Sequence, residues 1–397
     1  MSLAQRINRI QPSATLEMTA LANSMKAQGI DVIGLAAGEP DFDTQDHVKE
    51  AAIAALRQGF TKYTPVGGTN DLKEAICEKF QRENGVSYKP AEVTVSCGAK
   101  HSLYNLFQVL FEAGDEVLIP SPYWTSYPDM IVLTDAKPVI VSSTMESGYK
   151  INPEILKRHI TPKTKALILN SPSNPTGVAY SPKEIKDLVQ TAMDHNLTII
   201  SDEIYEHITF EGFQQQCVAA LGEEVKKRTL TVNGPSKTYA MTGWRIGYLA
   251  GSAEIVSAVT KLQGQSTSNP TSIAQKATVA ALKGPQDEIR RRCQEFERRR
   301  NVVVEKLRTM PGVSVVKPDG TFYAFPRFDG AFGKRYGDKV INSSGDLATY
   351  LLKEAQVVTV PGDAFGDDRA LRLSFATSME IIEEGLKRIG TELQKLS

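Results

Sequence analysis

The most constraining feature of this 397-residue chain is an alternation of short apolar runs with helical patterns, starting near Asp46. Asp46–Gln58 and Gly68–Asn84 carry the 3.6-residue periodicity of helices, and Val93–Ser96 the continuous apolar character of a strand. The pattern continues with a helix at Lys100–Phe111, strands at Glu116–Pro120 and Ala166–Asn170, a helix at Pro182–His195 and a strand at Thr198–Ser201. Thr229–Asn233 and Ile246–Ala250 are further strands. Strands that are apolar on both faces and separated by helices make a largely parallel sheet covered on both sides.

From Ile289 the pattern changes to one long, charged helix ending near Leu307. Short strands follow at Val313–Lys317, Thr321–Phe325, Val357–Val360 and Ala370–Phe375, then a terminal amphipathic helix. Strands followed by helices suggest a second, smaller α+β domain, with the long helix as connector. A chain of this length also favours two domains. The six arginines between Arg290 and Arg300, interrupted by Glu295 and Glu297, read as a solvated helix face.

Charge and cysteines narrow the class of function. The 46 basic and 46 acidic residues cancel, which argues against a chain built to coat nucleic acid or an anionic membrane. No run approaches the roughly 18 apolar residues of a membrane span, and the first residues lack a secretory pattern. The expectation is a soluble, cytoplasmic protein with no nucleic-acid or membrane partner. Cys77, Cys97, Cys217 and Cys293 lie far apart and are expected to be reduced and structural. The five histidines have no ligand-like spacing, so no metal is expected. The fingerprints of dinucleotide sites, P-loops, zinc proteases and serine hydrolases are all missing.

Polar residues at the ends of apolar strands are what remains, where a doubly wound sheet presents its ligands. Lys237 follows the strand Thr229–Asn233 by a Gly-Pro turn, with Arg245 close behind. A lysine is ordinarily a surface residue. Desolvated beside other cations it loses basicity and attacks carbonyls, as a Schiff base with pyridoxal phosphate requires. Asp202 directly follows an apolar strand, and a buried carboxylate there can hold a ring nitrogen protonated. Tyr205, three residues on, and Asn174, in a Pro-flanked loop, could bond the cofactor's phenolic oxygen. Taken singly, Asp202 is as well read as a cap and Asn174 as a turn residue.

These pieces resemble the class I, fold-type I aminotransferases, and the match runs end to end. It is carried by Asn174-Pro175-Thr176-Gly177, by Ser201-Asp202-Glu203-Ile204-Tyr205, by Ser236-Lys237 with Gly243-Trp244-Arg245-Ile246-Gly247, and by Leu371-Arg372-Leu373-Ser374. Gly38-Glu39-Pro40-Asp41-Phe42, Lys62-Tyr63-Thr64-Pro65, Gly98-Ala99-Lys100 and Ser121-Pro122-Tyr123-Trp124 are most similar to the bacillus and thermophile aspartate aminotransferases.

The resemblance implies an α/β fold with a seven-stranded, mostly parallel sheet in a large domain over 45–285. Residues 1–44 would be an arm and part of a small domain, and 286–397 the rest of that domain with its connecting helix. Pyridoxal 5′-phosphate would be carried by Lys237, which also moves the proton between Cα and C4′. Asp202 would pair with the ring nitrogen, Asn174 and Tyr205 with the phenolic oxygen, and Trp124 would stack on the ring. The phosphate would lie on Arg245 and the amides of Gly98, Ala99 and Lys100, which open a helix. Arg372, whose planar fork suits a carboxylate, would grip the substrate with Gly38, Trp124 and Asn174. Tyr63 would reach the cofactor phosphate of the partner in a homodimer with shared sites.

Two departures stand out. The family's frequent serine three residues before the lysine is Gly234 here, with Ser236 a possible substitute. No arginine occurs in Leu262–Thr271, the segment that serves the side-chain carboxylate from a neighbouring subunit in many relatives. In the resembling subgroup Lys100 takes that role, near Thr15. The implied reaction is L-aspartate plus 2-oxoglutarate to oxaloacetate plus L-glutamate. The alternative is an aromatic or prephenate aminotransferase. Some prephenate users carry a lysine just before the Pro-Ser-Ala-Thr segment, where this chain has Gln11. A remote alternative is a non-catalytic regulator on the same fold. The dozen residues ahead of Ser13 leave no room for its DNA-binding module, and the complete Lys237, Asp202, Tyr205 and Arg372 set argues for turnover.

Overall fold

The computed structural model describes residues 3–12 and 14–397, with the side chains of residues 14–16 outside the description. Seven strands form the main sheet: β1 (Val93–Ser96), β2 (Glu116–Ser121), β3 (Lys137–Ser142), β4 (Thr164–Asn170), β5 (Thr198–Asp202), β6 (Thr229–Asn233) and β7 (Gly247–Ala250). Their order across the sheet is β1-β7-β6-β5-β4-β2-β3. β7 alone runs opposite to the other six strands.

Period-two alternation sends successive side chains to opposite faces. Ile168, Ile200 and Val232 pack with Leu103 and Phe107 of the helix Ala99–Leu110. Leu167, Leu169 and Ile199 pack with Ile185, Leu188 and Val189 of the helix Pro182–Asp194. That second helix starts sharply because Ser181 and Glu184 cap it reciprocally and Pro182 occupies its first position. Burial on both faces explains why these strands read as continuous apolar runs.

Strand β3 was not visible in the sequence. It is the edge strand, half-exposed along much of its length, and Pro138 sits within it. Proline forfeits a backbone donor, which an edge tolerates and a central strand does not. The strand expected at Val313–Lys317 makes only the isolated bridge Ser314 to Arg327, between Pro311 and Pro318.

Beyond the sheet, the helix Asp287–Arg308 leads into a three-stranded antiparallel sheet of Val360–Pro361, Leu371–Ser374 and Tyr323–Ala324. Ile33–Gly34 pairs in parallel with Val357–Val358. Ile33 and Leu35 share one core with Phe296, Val303, Leu373 and Ile382, so the N-terminal segment packs with the C-terminal third. The arginine face of the long helix is only partly solvated. Arg299 Nη1 donates to both carboxylate oxygens of Asp41, at 2.8 and 3.0 Å. Arg300 is 1% exposed, donates to the Pro318 carbonyl and lies over the Phe210 ring. A buried guanidinium has to be paired in this way, which the charge pattern alone could not reveal. Among the described residues, no helix is long and apolar enough to cross a membrane.

Candidate active site

Parallel strands put their carboxyl ends on one edge of the sheet, and the register lines up the residues found there. Asn170 ends β4 opposite Asp202, which ends β5 opposite Val232 of β6. The Asn170 amide donates to the Asp202 carbonyl at 3.0 Å and its oxygen accepts the Asn174 N–H at 2.9 Å. The buried Asp202 carboxylate accepts from the Tyr127 hydroxyl at 2.6 Å and the Ile204 N–H at 3.3 Å. Burial pushes its pKa up to about 6, against the pull of Tyr127, Ile204 and Lys237.

Lys237 leaves β6 through a braced turn. Asn233 accepts the Gly234 N–H at 2.7 Å and donates to Glu206 at 2.6 Å. The buried Glu206 also takes Asn84 at 2.7 Å and ion-pairs with Lys79. A Cβ on Gly234 would sit 3.0 Å from the Ile246 carbonyl and 3.1 Å from the Gly247 Cα, so this packing favours glycine over serine. The Lys237 ammonium donates to the Gly38 carbonyl. Burial lowers its pKa to about 8; Glu39 opposes the shift, while Arg372 and Arg245 add to it.

An anion cradle flanks the lysine on one side. Gly98 has φ +94° and opens the helix Ala99–Leu110; a Cβ there would lie 2.4 Å from Arg245 Nη2. Arg245 is held by the carbonyls of Thr242 at 2.8 Å and Cys97 at 3.3 Å. The Gly98 N–H is already engaged with the Ser96 carbonyl at 2.7 Å, so Gly98 supplies backbone shape rather than a donor. The amides of Ala99 and Lys100 belong to the first turn, which an α-helix leaves without internal acceptors.

A second arginine, Arg372, lines the same cavity. Arg372 is buried, donates to Asn174 Oδ1 at 3.0 Å and to the Ala36 carbonyl at 2.9 Å, and stacks 4.4 Å from the Tyr323 ring centroid. Its Nε is buried with no hydrogen-bond partner among the described residues. Tyr205 and Tyr323 meet through their hydroxyls at 3.2 Å.

One cavity of about 290 Å³ collects these groups. It brings together Lys237, Asp202, Tyr205, Asn174 and Arg372, and with them Gly38, Ala99, Lys100, Trp124 and Arg245. The Lys100 ammonium lies 5.0 Å from the Trp124 ring centroid. Gly98 and Tyr63 are not among the lining residues. Tyr63 is 92% exposed and touches no part of this cavity. Thr15 falls in the helix Ala14–Ala27, with its side chain outside the described residues.

Asn170, Tyr127 and Tyr323, which were not singled out from the sequence, also line the cavity. Asn170 was within reach, being a polar residue closing an apolar strand like Asp202. Tyr127 and Tyr323 gave no signal, because a tyrosine in a helix or a short strand reads as core.

Comparison with known proteins agrees with this geometry. The family described as aminotransferase class I and II matches residues 30–389. An aspartate aminotransferase of Bacillus sp. (strain YM-2) is 49% identical over 387 residues, 98% of each chain. A Rickettsia bellii protein named probable aspartate/prephenate aminotransferase is 49% identical over 389 residues, again 98% of each. The crystal structure of the aspartate aminotransferase from Rhizobium meliloti superposes with a TM-score of 0.96 at 46% identity, covering 100% of both chains.

Proposed function

The chain belongs to the class I and II aminotransferases, and from that membership we propose that it transfers the amino group of L-aspartate to 2-oxoglutarate, giving oxaloacetate and L-glutamate. Enzymes of this family use pyridoxal 5′-phosphate, and the residues present fit that group. The cradle of Gly98, the Ala99 and Lys100 amides and Arg245 suits a phosphate, and the buried Asp202 suits a ring nitrogen. When bound, the cofactor supplies an electron sink that makes the substrate Cα–H acidic and carries the amino group between the half-reactions.

The chain's own residues do the rest. Lys237 would hold the cofactor through its side-chain amine, and the same Nζ, once free, would take the substrate's Cα proton and return it in the next half-reaction. An amine with a pKa near 8 is neutral in about a tenth of molecules at pH 7, against about one in three thousand for an ordinary lysine. Asp202 would hold the ring-nitrogen proton; a positive charge beside it would favour the ionised carboxylate that burial alone disfavours. Tyr127 and Asn170 orient that carboxylate from its side chain and its backbone. Tyr205 and the Asn174 amide would serve the phenolic oxygen, and Trp124 would face the ring. Arg372 binds the α-carboxylate, with Asn174, Gly38 and Trp124 around it, while Lys100 serves the distal carboxylate with Thr15.

The observation that carries this reading is a weakly basic amine sharing one cavity with two arginines, Arg245 and Arg372, both of which act on it. A homodimer with Tyr63 reaching the partner's cofactor phosphate belongs to the same proposal, as does a division at residues 44 and 285. Support for the division comes from the joint core of Ile33 and Leu35 with the C-terminal third. A cytoplasmic location goes with it, in keeping with four free cysteines. The name of the Rickettsia protein makes prephenate the second acceptor to consider. A panel of amino donors with 2-oxoglutarate and prephenate tests the choice. The proposal expects the highest kcat/KM with aspartate and 2-oxoglutarate. Preference for prephenate would replace 2-oxoglutarate as acceptor, preference for an aromatic donor would replace aspartate, and no transfer from any donor would defeat the enzymatic reading.

A further inference from the structure

Tyr63 stands in solvent at the start of a loop that is held far more firmly than an ordinary surface turn. Gln275 is 0% exposed, and its side chain is spent on that loop and its neighbour. Its amide nitrogen donates to Thr64 Oγ1 at 3.0 Å and the Pro270 carbonyl at 2.9 Å, while its oxygen accepts the Thr69 N–H at 2.8 Å. Gln263, also 0% exposed, donates to the Val66 carbonyl at 2.8 Å and the Val95 carbonyl at 2.9 Å. Its oxygen accepts from Asn105 of the helix Ala99–Leu110 at 3.2 Å.

The rest of the surroundings act in the same direction. Ser272 donates to the Phe60 carbonyl at 2.9 Å, and Lys276 lies 4.8 Å from the Phe60 ring centroid while bonding Asp71 at 2.6 Å. Gly68, at φ +98°, lies so close to β1 that a Cβ would stand 2.7 Å from Val95 Cγ2. Burying two amide side chains is costly unless they are bonded, and here the bonds converge on the few residues that follow Tyr63. Fixing a loop beforehand spares the ordering cost at the moment of binding.

We propose that Gln275, seconded by Gln263, is a positioning residue that holds Tyr63 ready for the cofactor phosphate of the partner subunit. Through Val95 and Asn105, Gln263 ties the same loop to the strand and helix that flank its own subunit's phosphate cradle. The proposal rests on the shared-site reading of Tyr63 and goes beyond it by naming what aims that residue.

The test measures binding, with the full-length apoenzyme titrated with pyridoxal 5′-phosphate and with pyridoxal, which lacks the phosphate. Thr64→Val carries the test, because it deletes one hydroxyl at a half-buried position and is tolerable even if Gln275→Leu fails to fold. Tyr63→Phe and Thr64→Val should each weaken the phosphorylated ligand about fivefold, the size of one net hydrogen bond. Pyridoxal binding should stay within about twofold, and the double variant should be no weaker than Tyr63→Phe alone. Wild-type affinity in Thr64→Val beside a weakened Tyr63→Phe would overturn the positioning role while sparing the shared site. Equal losses for both ligands would reduce Gln275 and Thr64 to general packing. An unaffected Tyr63→Phe would bring down the shared-site reading and this proposal with it.

Discussion

Glu203 sits beside Asp202 but points the other way, into a buried nest that the reaction does not use. It is 1% exposed; one oxygen accepts the Ser201 hydroxyl at 2.7 Å and the Val218 N–H at 3.0 Å, and the other has no partner among the described residues. Burial, with the Glu206 charge adding to it, pushes the Glu203 pKa from 4.5 up to about 7. At about 1.36 kcal/mol for each pH step between those values, ionising the group costs the folded state on the order of 3 kcal/mol. The folded value lies above the unfolded one, so between about pH 4.5 and 7 the folded protein binds more protons. Its stability therefore falls as the pH rises through that window and levels off beyond it. Glu203→Gln keeps the shape and the accepting oxygen but carries no charge. Equilibrium urea unfolding of both proteins at a series of pH values isolates this group, since shared titrations cancel in the difference. The variant should gain about 3 kcal/mol relative to the parent between pH 4 and pH 8, with activity retained because the side chain faces away from the cavity. A difference independent of pH, or one that moves against the variant as pH rises, would refute the reasoning.

Lys100→Ala should lower kcat/KM for aspartate by about 1.5–3 kcal/mol, the worth of a hydrogen bond to a charged group, with a much smaller loss for an aromatic donor. Equal losses on both donors would remove Lys100 from specificity. Tyr63→Ala and Lys237→Ala should each impair the homodimer, yet refolding them together should restore part of the activity, because a shared-site heterodimer has one site free of both lesions. No recovery with heterodimers demonstrably present would rule out sharing.

How much of this was legible in the sequence depends on where each residue's information lies. The central strands were visible because burial on both faces makes them uniformly apolar, and Thr229–Asn233 was found to the residue. The edge strand Lys137–Ser142 was not, since partial exposure and Pro138 erase that signature. Lys237, Asp202, Asn174 and Arg372 were legible as polar residues closing apolar segments or inside recognisable motifs. Tyr127 and Tyr323 were not, because their relevance comes from hydroxyls at 2.6 and 3.2 Å from Asp202 and Tyr205, contacts that only the folded chain creates. Arg299 and Arg300 show the converse, charges that looked solvated and are buried against Asp41 and Phe210.

The central claim is that Lys237 carries the cofactor through its side-chain amine, and trapping that linkage tests it most directly. The holoenzyme, reduced with borohydride, digested and mapped by mass spectrometry, should hold the pyridoxyl phosphate label on the peptide containing Lys237, and Lys237→Ala should hold none. Label on a different lysine, or none on a protein that turns over aspartate, would contradict the account.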